Sequence, residues 1–284
     1  MTLLIKPVDQ PHVIVEELLT YKNSESDTLH IRWLGQSGFL LQTEGITLLM
    51  DPYLSDSLTK KYHNTEKPHE RMSICCVQPE ALVGIDIVTS SHNHTDHLDA
   101  ETLIPILKNN PEAHFILPEA NKEFAANRLG VAANKFQGIN EGQSIKLNSV
   151  KFHGIPSAHN EIERDDHGRC LYMGFVVQIG PWTVYHSGDT LLFDGLEGML
   201  SKFSPDVVLL PINGNVPSRG VAGNMNGLEA AHLAKASGAK LVIPHHYHLF
   251  KFNSEEPDLF EQSCSDLNQA FYTMKIGERI ELDK

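Results

Sequence analysis

The chain is poor in the features that would make it anything but a globular protein. Its 284 residues contain four cysteines (Cys75, Cys76, Cys170, Cys264). These show neither metal-binding spacing nor a disulfide framework, and adjacent Cys75 and Cys76 read as two reduced side chains. No apolar run reaches the roughly 18 residues of a membrane helix. Met1 to Asp9 lacks the basic start, long apolar stretch and small-residue cleavage site of a signal peptide. A cytoplasmic protein is expected, without stable membrane anchoring, although residues 11–21 are mildly amphipathic. Positive charge is scarce as well. There are 23 Lys and Arg against 36 Asp and Glu, a formal charge of −13, with no basic run. Such a surface repels polyanions, so nucleic acid is not an expected partner.

Histidine, by contrast, is abundant, with 16 residues. Three of them fall in Ser91-His92-Asn93-His94-Thr95-Asp96-His97, spaced H-x-H-x-D-H. The run Ile85 to Thr89 before it reads as a strand, and Leu98 to Leu103 after it as the start of a helix. Residues two apart in extended chain share a face, so His92 and His94 can point the same way. Asp96 and His97 then turn toward a second point. Four metal-competent groups aimed at two points suggest two metal ions.

The remaining pattern alternates strands and helices. Residues 11–22 predict a short N-terminal helix, and 1–27 an N-terminal extension. Strands are expected at 29–34, 39–43 and 46–50, the last two joined by the hairpin signal Glu44-Gly45. Residues 54–78 look like an irregular inserted loop. A helix over 99–108, a strand at 113–117 and a helix from Pro118 to about Gly130 follow. Strands near 144–154, 171–179, 182–187 and 206–210 lead to a helix over 226–237 closed by Gly238. A strand at 240–243 and a helix at about 255–271 finish the chain. With no linker, low-complexity tract or short repeat, the expectation is one domain over 1–284. Both halves run from strands through a ligand-bearing loop to a helix, which implies two sheets packed face to face with helices outside.

Three further ligand candidates sit at strand ends: His159 after Gly154-Ile155-Pro156, Asp189 in Tyr185-His186-Ser187-Gly188-Asp189-Thr190, and one of the pair in Pro244-His245-His246-Tyr247. In this order the motifs resemble the metallo-β-lactamase superfamily from about residue 29 to 284. Arg32 to Phe39, Asp51 to Ser57, Tyr185 to Thr190, Leu210 to Gly214 and Gly223 to Asn226 look like its L-ascorbate-6-phosphate lactonase-like branch. Ser91 to Asp99 is also similar to the corresponding run of N-acyl-phosphatidylethanolamine phospholipase D.

The resemblance implies an α/β fold, a four-layer αββα sandwich of mixed sheets with helices on both outer faces. It implies that His92, His94 and His159 hold one metal, that Asp96, His97 and His246 hold the other, and that Asp189 bridges them. The Pro-x-His-Tyr pattern of the family favours His246 over His245. The donors are all nitrogen and oxygen, which suits zinc or manganese and also iron. A hydroxide bridging the two ions would attack a carbonyl carbon or phosphorus, with Asp96 as proton acceptor and later donor.

Other residues carry two readings each. Asp51 orients a ligand histidine or simply turns the chain before Pro52. His186 belongs to the core or stands behind a ligand, or else is itself a ligand, a role that Asp189 already fills in that loop. Arg219 and Asn224 contact substrate, or else build a turn and a helix cap. Tyr247 donates to an oxyanion or packs. The expected activity is hydrolysis of a small anionic substrate, a lactone or phosphorylated sugar derivative. The alternative is a nuclease- or phospholipase-D-like phosphodiesterase. A non-hydrolytic scaffold is disfavoured because all seven ligand candidates are intact. Relatives in the branch often assemble, so a homo-oligomer is an expectation of the resemblance.

Overall fold

A computed structural model of the protein describes residues 3–284. The chain starts with α1 (Pro11–Lys22), whose Pro11 suits the first helical turn and whose Ile14 and Leu18 are buried. Next come β1 (Leu29–Gly35), β2 (Gly38–Thr43) and β3 (Ile46–Met50), an antiparallel meander. β1 and β2 are buried along their whole length, as strands covered on both faces are, and their polar residues are paired there, Arg32 with Asp9 and Glu17 and Gln42 with Thr47. α2 (Ser57–Tyr62), β4 (Ile87–Thr89), α3 (Ala100–Asn109), β5 (His114–Pro118), α4 (Lys122–Leu129) and β6 (Phe136–Ile139) follow. Strands β3 to β6 pair in parallel.

The second half repeats this plan. β7 (Ser144–Leu147), β8 (Val150–Pro156), β9 (Met173–Ile179) and β10 (Trp182–His186) form another antiparallel meander. α5 (Leu196–Ser201), β11 (Val207–Pro211), α6 (Gly227–Ser237), β12 (Leu241–His245) and α7 (Asp258–Asp266) come next, with β10, β11 and β12 parallel. β13 (Arg279–Leu282) returns to the first sheet and pairs antiparallel with β1. The result is a seven-stranded sheet, β13-β1-β2-β3-β4-β5-β6, and a six-stranded sheet, β12-β11-β10-β9-β8-β7. Both sheets are mixed and flanked by helices. α1 packs on β2, and α6 on β11 and β12. A large apolar core draws on both sheets, including Trp33, Phe39 and Leu41 from one and Phe175, Val177 and Tyr185 from the other. Among the described residues, no helix is long and apolar enough to cross a membrane.

Several elements depart from the sequence expectation. The strand expected at 144–154 is two strands, because Asn148 takes a left-handed φ of 52° and turns the chain. The last helix stops at Asp266, and Phe271 instead forms a single bridge with Val242. α2 lies within the stretch read as irregular, while α5, β6 and β13 have no counterpart in the sequence reading. β13 is a four-residue polar alternation on a sheet edge, and β6 carries Gly138, so neither has the run of apolar residues that marks a strand.

The Asn226–Glu229 capping box starts α6, and the first helical residue is Gly227. A Cβ there would lie 2.5 Å from the backbone nitrogen of Phe260, so α6 and α7 touch through bare backbone. Backbone cannot swing aside as a flexible side chain does. Gly227→Ala should therefore destabilise the protein by about 1–3 kcal/mol through overpacking. Thermal melting would show this as a midpoint lower by roughly 2–10 °C. An unchanged midpoint would mean that the helices can part freely.

Candidate metal centre

The C-terminal ends of β4, β8, β10 and β12 converge, and each delivers a ligand-bearing loop. After β4, the histidine loop closes on itself, with Leu98 N donating to the His94 carbonyl at 2.9 Å. Asp99 then caps α3, accepting from Thr102 N at 2.9 Å. This short turn puts the His92 and His94 rings 4.6 Å apart, with His159 at 5.5 and 5.1 Å from them. His159 Nδ1 donates to the Gly223 carbonyl at 2.9 Å, which fixes its proton there and frees Nε2.

Three overlapping groups have ligand atoms within 4.8 Å of one another: His92, His94 and His159; His92, His97 and Asp189; and Asp96, His97 and His246. All seven ligand candidates named from the sequence thus meet in one place. Asp189 lies between the groups. Its Oδ1 is 3.3 Å from His97 Nε2, and its Oδ2 is 3.2 Å from His246 Nε2 and 3.9 Å from His159 Nε2. Asp96 Oδ2 is 3.8 Å from the Nε2 atoms of both His97 and His246. Gly188 makes the Asp189 position reachable. It has φ of 58°, and a Cβ there would come within 2.5 Å of Ser91 Cβ, so only glycine lets the two loops press together.

The His245 and His246 alternatives separate clearly. His246, at a left-handed φ of 64°, turns toward the carboxylates. His245 turns into the protein, where it stacks on His186 with centroids 5.1 Å apart and contacts Ser37 Oγ at 3.2 Å.

The donor set fits a cation on the structure's own terms. His92 Nε2, His97 Nε2 and Asp189 Oδ1 are buried and have no hydrogen-bond partner among the described residues. Buried polar atoms are normally paired, and lone pairs aimed at one spot suit a metal ion. Burial lowers the pKa of His92 well below the ordinary histidine value and lowers His94 and His159 too, keeping them neutral as ligands must be. Burial would also lower His97 and His246, but Asp189 and Asp96 outweigh it and raise both, His97 the further. Burial would raise Asp189, yet His246 and His97 hold it well below the usual carboxylate range.

Behind this layer stands Asp51, fully buried at a φ of 42°. It accepts from Ser91 N at 3.0 Å, from Thr89 Oγ1 at 3.2 Å and from His97 Nδ1 at 2.7 Å. The last bond places the His97 proton on Nδ1 and leaves Nε2 for a metal. His186 has both nitrogens engaged, Nε2 donating to the Ser37 carbonyl at 2.8 Å and Nδ1 accepting from Gly188 N at 3.1 Å. It props the Asp189 loop from within the core.

Three substrate contacts suggested by the sequence are not placed to act as such. The Tyr247 hydroxyl donates to the Met274 carbonyl, and the ring stacks on Trp33 at 4.4 Å, inside the core. Arg219 donates to the Asn213 carbonyl at 2.5 Å and pairs with Glu255, pinning its loop rather than lining the cavity. Asn224 is fully buried and donates to Asn213 Oδ1 at 3.0 Å.

Other residues line the cavity instead. It has a volume of about 630 Å³. Gln36 donates to Asp96 Oδ2 at 2.8 Å and lies 3.0 Å from His246 Nε2. Its signal was the turn Gly35-Gln36-Ser37-Gly38, which puts a non-glycine residue at φ 50°. Arg128 donates to the Asn93 carbonyl at 2.6 Å and steadies the histidine loop. Nothing in its helical sequence marks it for that task. Lys61, Lys67 and His69 also line the cavity, brought there by the stretch that had read as irregular.

Two mixed sheets flanked by helices, with histidines and aspartates gathered at the strand ends, define a metal-dependent hydrolase of the metallo-β-lactamase fold. The chain belongs to the beta-lactamase superfamily, whose domain model matches residues 30–246. Its relatives include the UPF0173 metal-dependent hydrolase of Archaeoglobus fulgidus, 30% identical over 263 residues that cover 90% of this chain and 100% of that protein. Among solved structures, a possible metal-dependent hydrolase from Veillonella parvula superposes with a TM-score of 0.70 at 20% identity, covering 91% of this chain and 100% of that one. Igni18, a metallo hydrolase from Ignicoccus hospitalis, gives 0.67 at 22% identity, covering 90% of this chain and 99% of its own.

The opposed pKa shifts give a pH signature. His92, His94 and His159, held neutral by burial, resist protonation, so stability falls as pH drops below the ordinary histidine value of about 6.5. His97 and His246, raised by the aspartates, contribute stability that is complete below that value and lost as pH climbs through their elevated ones. Protein stripped by a chelator should therefore melt highest near neutrality and lower on either side. Added Zn²⁺ or Mn²⁺ should raise the midpoint most on the alkaline side, where His97 and His246 have released their protons. A stripped protein whose midpoint rises steadily into the alkaline range would contradict the raised values.

Proposed function

We propose that the protein hydrolyses a carboxylic ester bond in a small anionic molecule, a lactone or phosphorylated sugar derivative, using two divalent cations, zinc or manganese. The observation that carries this reading is Asp189, set between two histidine groups within reach of both. His92, His94 and His159 would hold one cation and Asp96, His97 and His246 the other, with Asp189 serving both. Iron fits the same donors. When bound, two such ions lower the pKa of water toward neutrality and polarise the oxygen of the bond to be cut.

The chain's own residues do the rest. Asp96 is the more exposed of the two central carboxylates, with 17% of its side chain accessible against 4% for Asp189. It faces the cavity, which suits it to accept a proton from the attacking water and return it to the leaving group. Gln36 fixes one of its oxygens. Asp51 keeps the His97 proton away from the metal side. Lys61, Lys67 and Arg128 line the cavity, and they give an acidic protein a locally positive approach for an anion. A volume of about 630 Å³ suits a small molecule. The resemblance of several motifs to the lactonase-like branch favours carboxylic ester chemistry within this class.

The same cations in the cavity wall also suit a phosphate, so a phosphodiesterase is the second reading. The deciding measurement is turnover after reconstitution with Mn²⁺ or Zn²⁺ on a sugar-phosphate lactone and on a generic phosphodiester. Lactone turnover alone is expected. Phosphodiester turnover alone would replace the first reading with the second. Asp96→Ala should lose at least about a hundredfold in rate, and near-normal turnover would remove Asp96 from the proton path. Asp189→Ala should lose metal as well as activity, which elemental analysis reads directly.

A further inference from the structure

Besides the metal ligands, the cavity is lined by a cluster of aromatic rings. The segment after α2 is held between that helix and the turn at 251–253: Thr59 Oγ1 donates to the His69 carbonyl at 2.7 Å, and Lys251 N donates to the Glu70 carbonyl at 3.0 Å. This brings four rings together. His69 stacks on Tyr62 at 4.4 Å and 20°. It meets Phe250 at 5.0 Å and Phe252 at 4.6 Å, edge to face. All four line the same cavity as Asp96, Asp189 and His246. Burial lowers the pKa of His69, and its Nδ1 donates to the Lys67 carbonyl at 3.1 Å. The imidazole is a neutral plate rather than a charge.

We infer that this wall recognises the part of the substrate that does not react, and that this part is a planar, largely apolar ring rather than a polyol. The inference rests on the hydrolytic reading above and narrows its substrate class to lactones or esters bearing such a ring. A ring laid against His69 and Phe252 gains edge and face contacts and is withdrawn from water. Sugar hydroxyls pressed against these ring faces would give up water and meet aromatic carbon there, leaving hydrogen bonds unmade. The rings already brace one another, so little ordering is needed when a ligand arrives. Phe250 belongs to a small buried cluster with Tyr53, Leu58 and Leu249, whereas Phe252 is only partly buried against it. Phe252 is therefore the specificity residue that can be changed with least damage to the fold.

The test compares bodies at equal charge. Calorimetry on the metal-loaded protein would measure phenylacetate and gluconate, both monocarboxylates. Phenylacetate is expected to bind at least roughly tenfold tighter, the scale of a well-matched apolar pocket. Phe252→Ala should erase most of that difference, and Phe252→Leu, which keeps the apolar packing, should erase part of it with an unchanged melting point. Equal or tighter binding of gluconate, or a preference untouched by Phe252→Ala in a folded protein, would overturn the inference. Turnover of dihydrocoumarin and glucono-δ-lactone, both uncharged, forms the second arm. Faster turnover of dihydrocoumarin supports the inference, and faster turnover of the sugar lactone opposes it. If the phenylacetate preference persists while the metal-loaded protein turns over neither these lactones nor the charged lactone and phosphodiester above, the wall stands and the hydrolytic reading fails.

Discussion

Asp189 is a buried carboxylate, and an ion taken out of water costs on the order of several kcal/mol unless partners answer its charge. Here the partners are His97 and His246, themselves buried and themselves held by Asp96 and, for His97, by Asp51. None of these groups is stable in its place alone. Remove one and the others keep an unanswered charge or an unpaired nitrogen. The site is therefore an all-or-none electrostatic unit, and the surrounding backbone must deliver every member at once.

The fold meets that demand with strand ends. Parallel pairing of β3 with β4 and of β11 with both β10 and β12 aligns C-terminal ends, so loops from distant parts of the chain arrive on the same side. The loops then accept unusual backbone. Asp51, Gln36 and His246 all have positive φ without being glycine, and each touches the metal-ligand cluster. Strain of this kind persists where surrounding contacts over-determine it. Here those contacts are the hydrogen bonds around Asp51, Asp96 and the Gln36 carbonyl.

The sequence revealed much of the core and of the ligand set, for a physical reason. Buried strands such as Ile46–Met50 and Val207–Pro211 leave short, mostly apolar runs, and a compact loop of ligands leaves a dense local pattern in His92 to His97. Elements stabilised by distant partners leave no such trace. β13 is polar and short because one neighbour, β1, supplies its pairing. Arg128 reaches the histidine loop from a helix whose sequence is ordinary. The aromatic wall joins residues 62 and 69 to residues 250 and 252, a pairing that only the folded chain makes. Tyr247, Arg219 and Asn224 misled for the opposite reason. They lie beside ligands or in a glycine-rich loop, yet the Tyr247 hydroxyl, the Arg219 guanidinium and the Asn224 amide nitrogen are engaged by Met274, Glu255 and Asn213.

The pairing of Leu29 with Leu282 has a consequence for how the molecule is made. β1 is among the earliest strands to be synthesised, but its outer neighbour comes last. Until β13 emerges, β1 is an edge strand with bare amide and carbonyl groups, in a chain already able to collapse around its apolar meander. Such an edge invites pairing with a strand from another copy. Shielding during synthesis then falls to whatever covers β1 from outside, and α1, which packs on β2 with Glu17 reaching Arg32 of β1, precedes both strands in the chain.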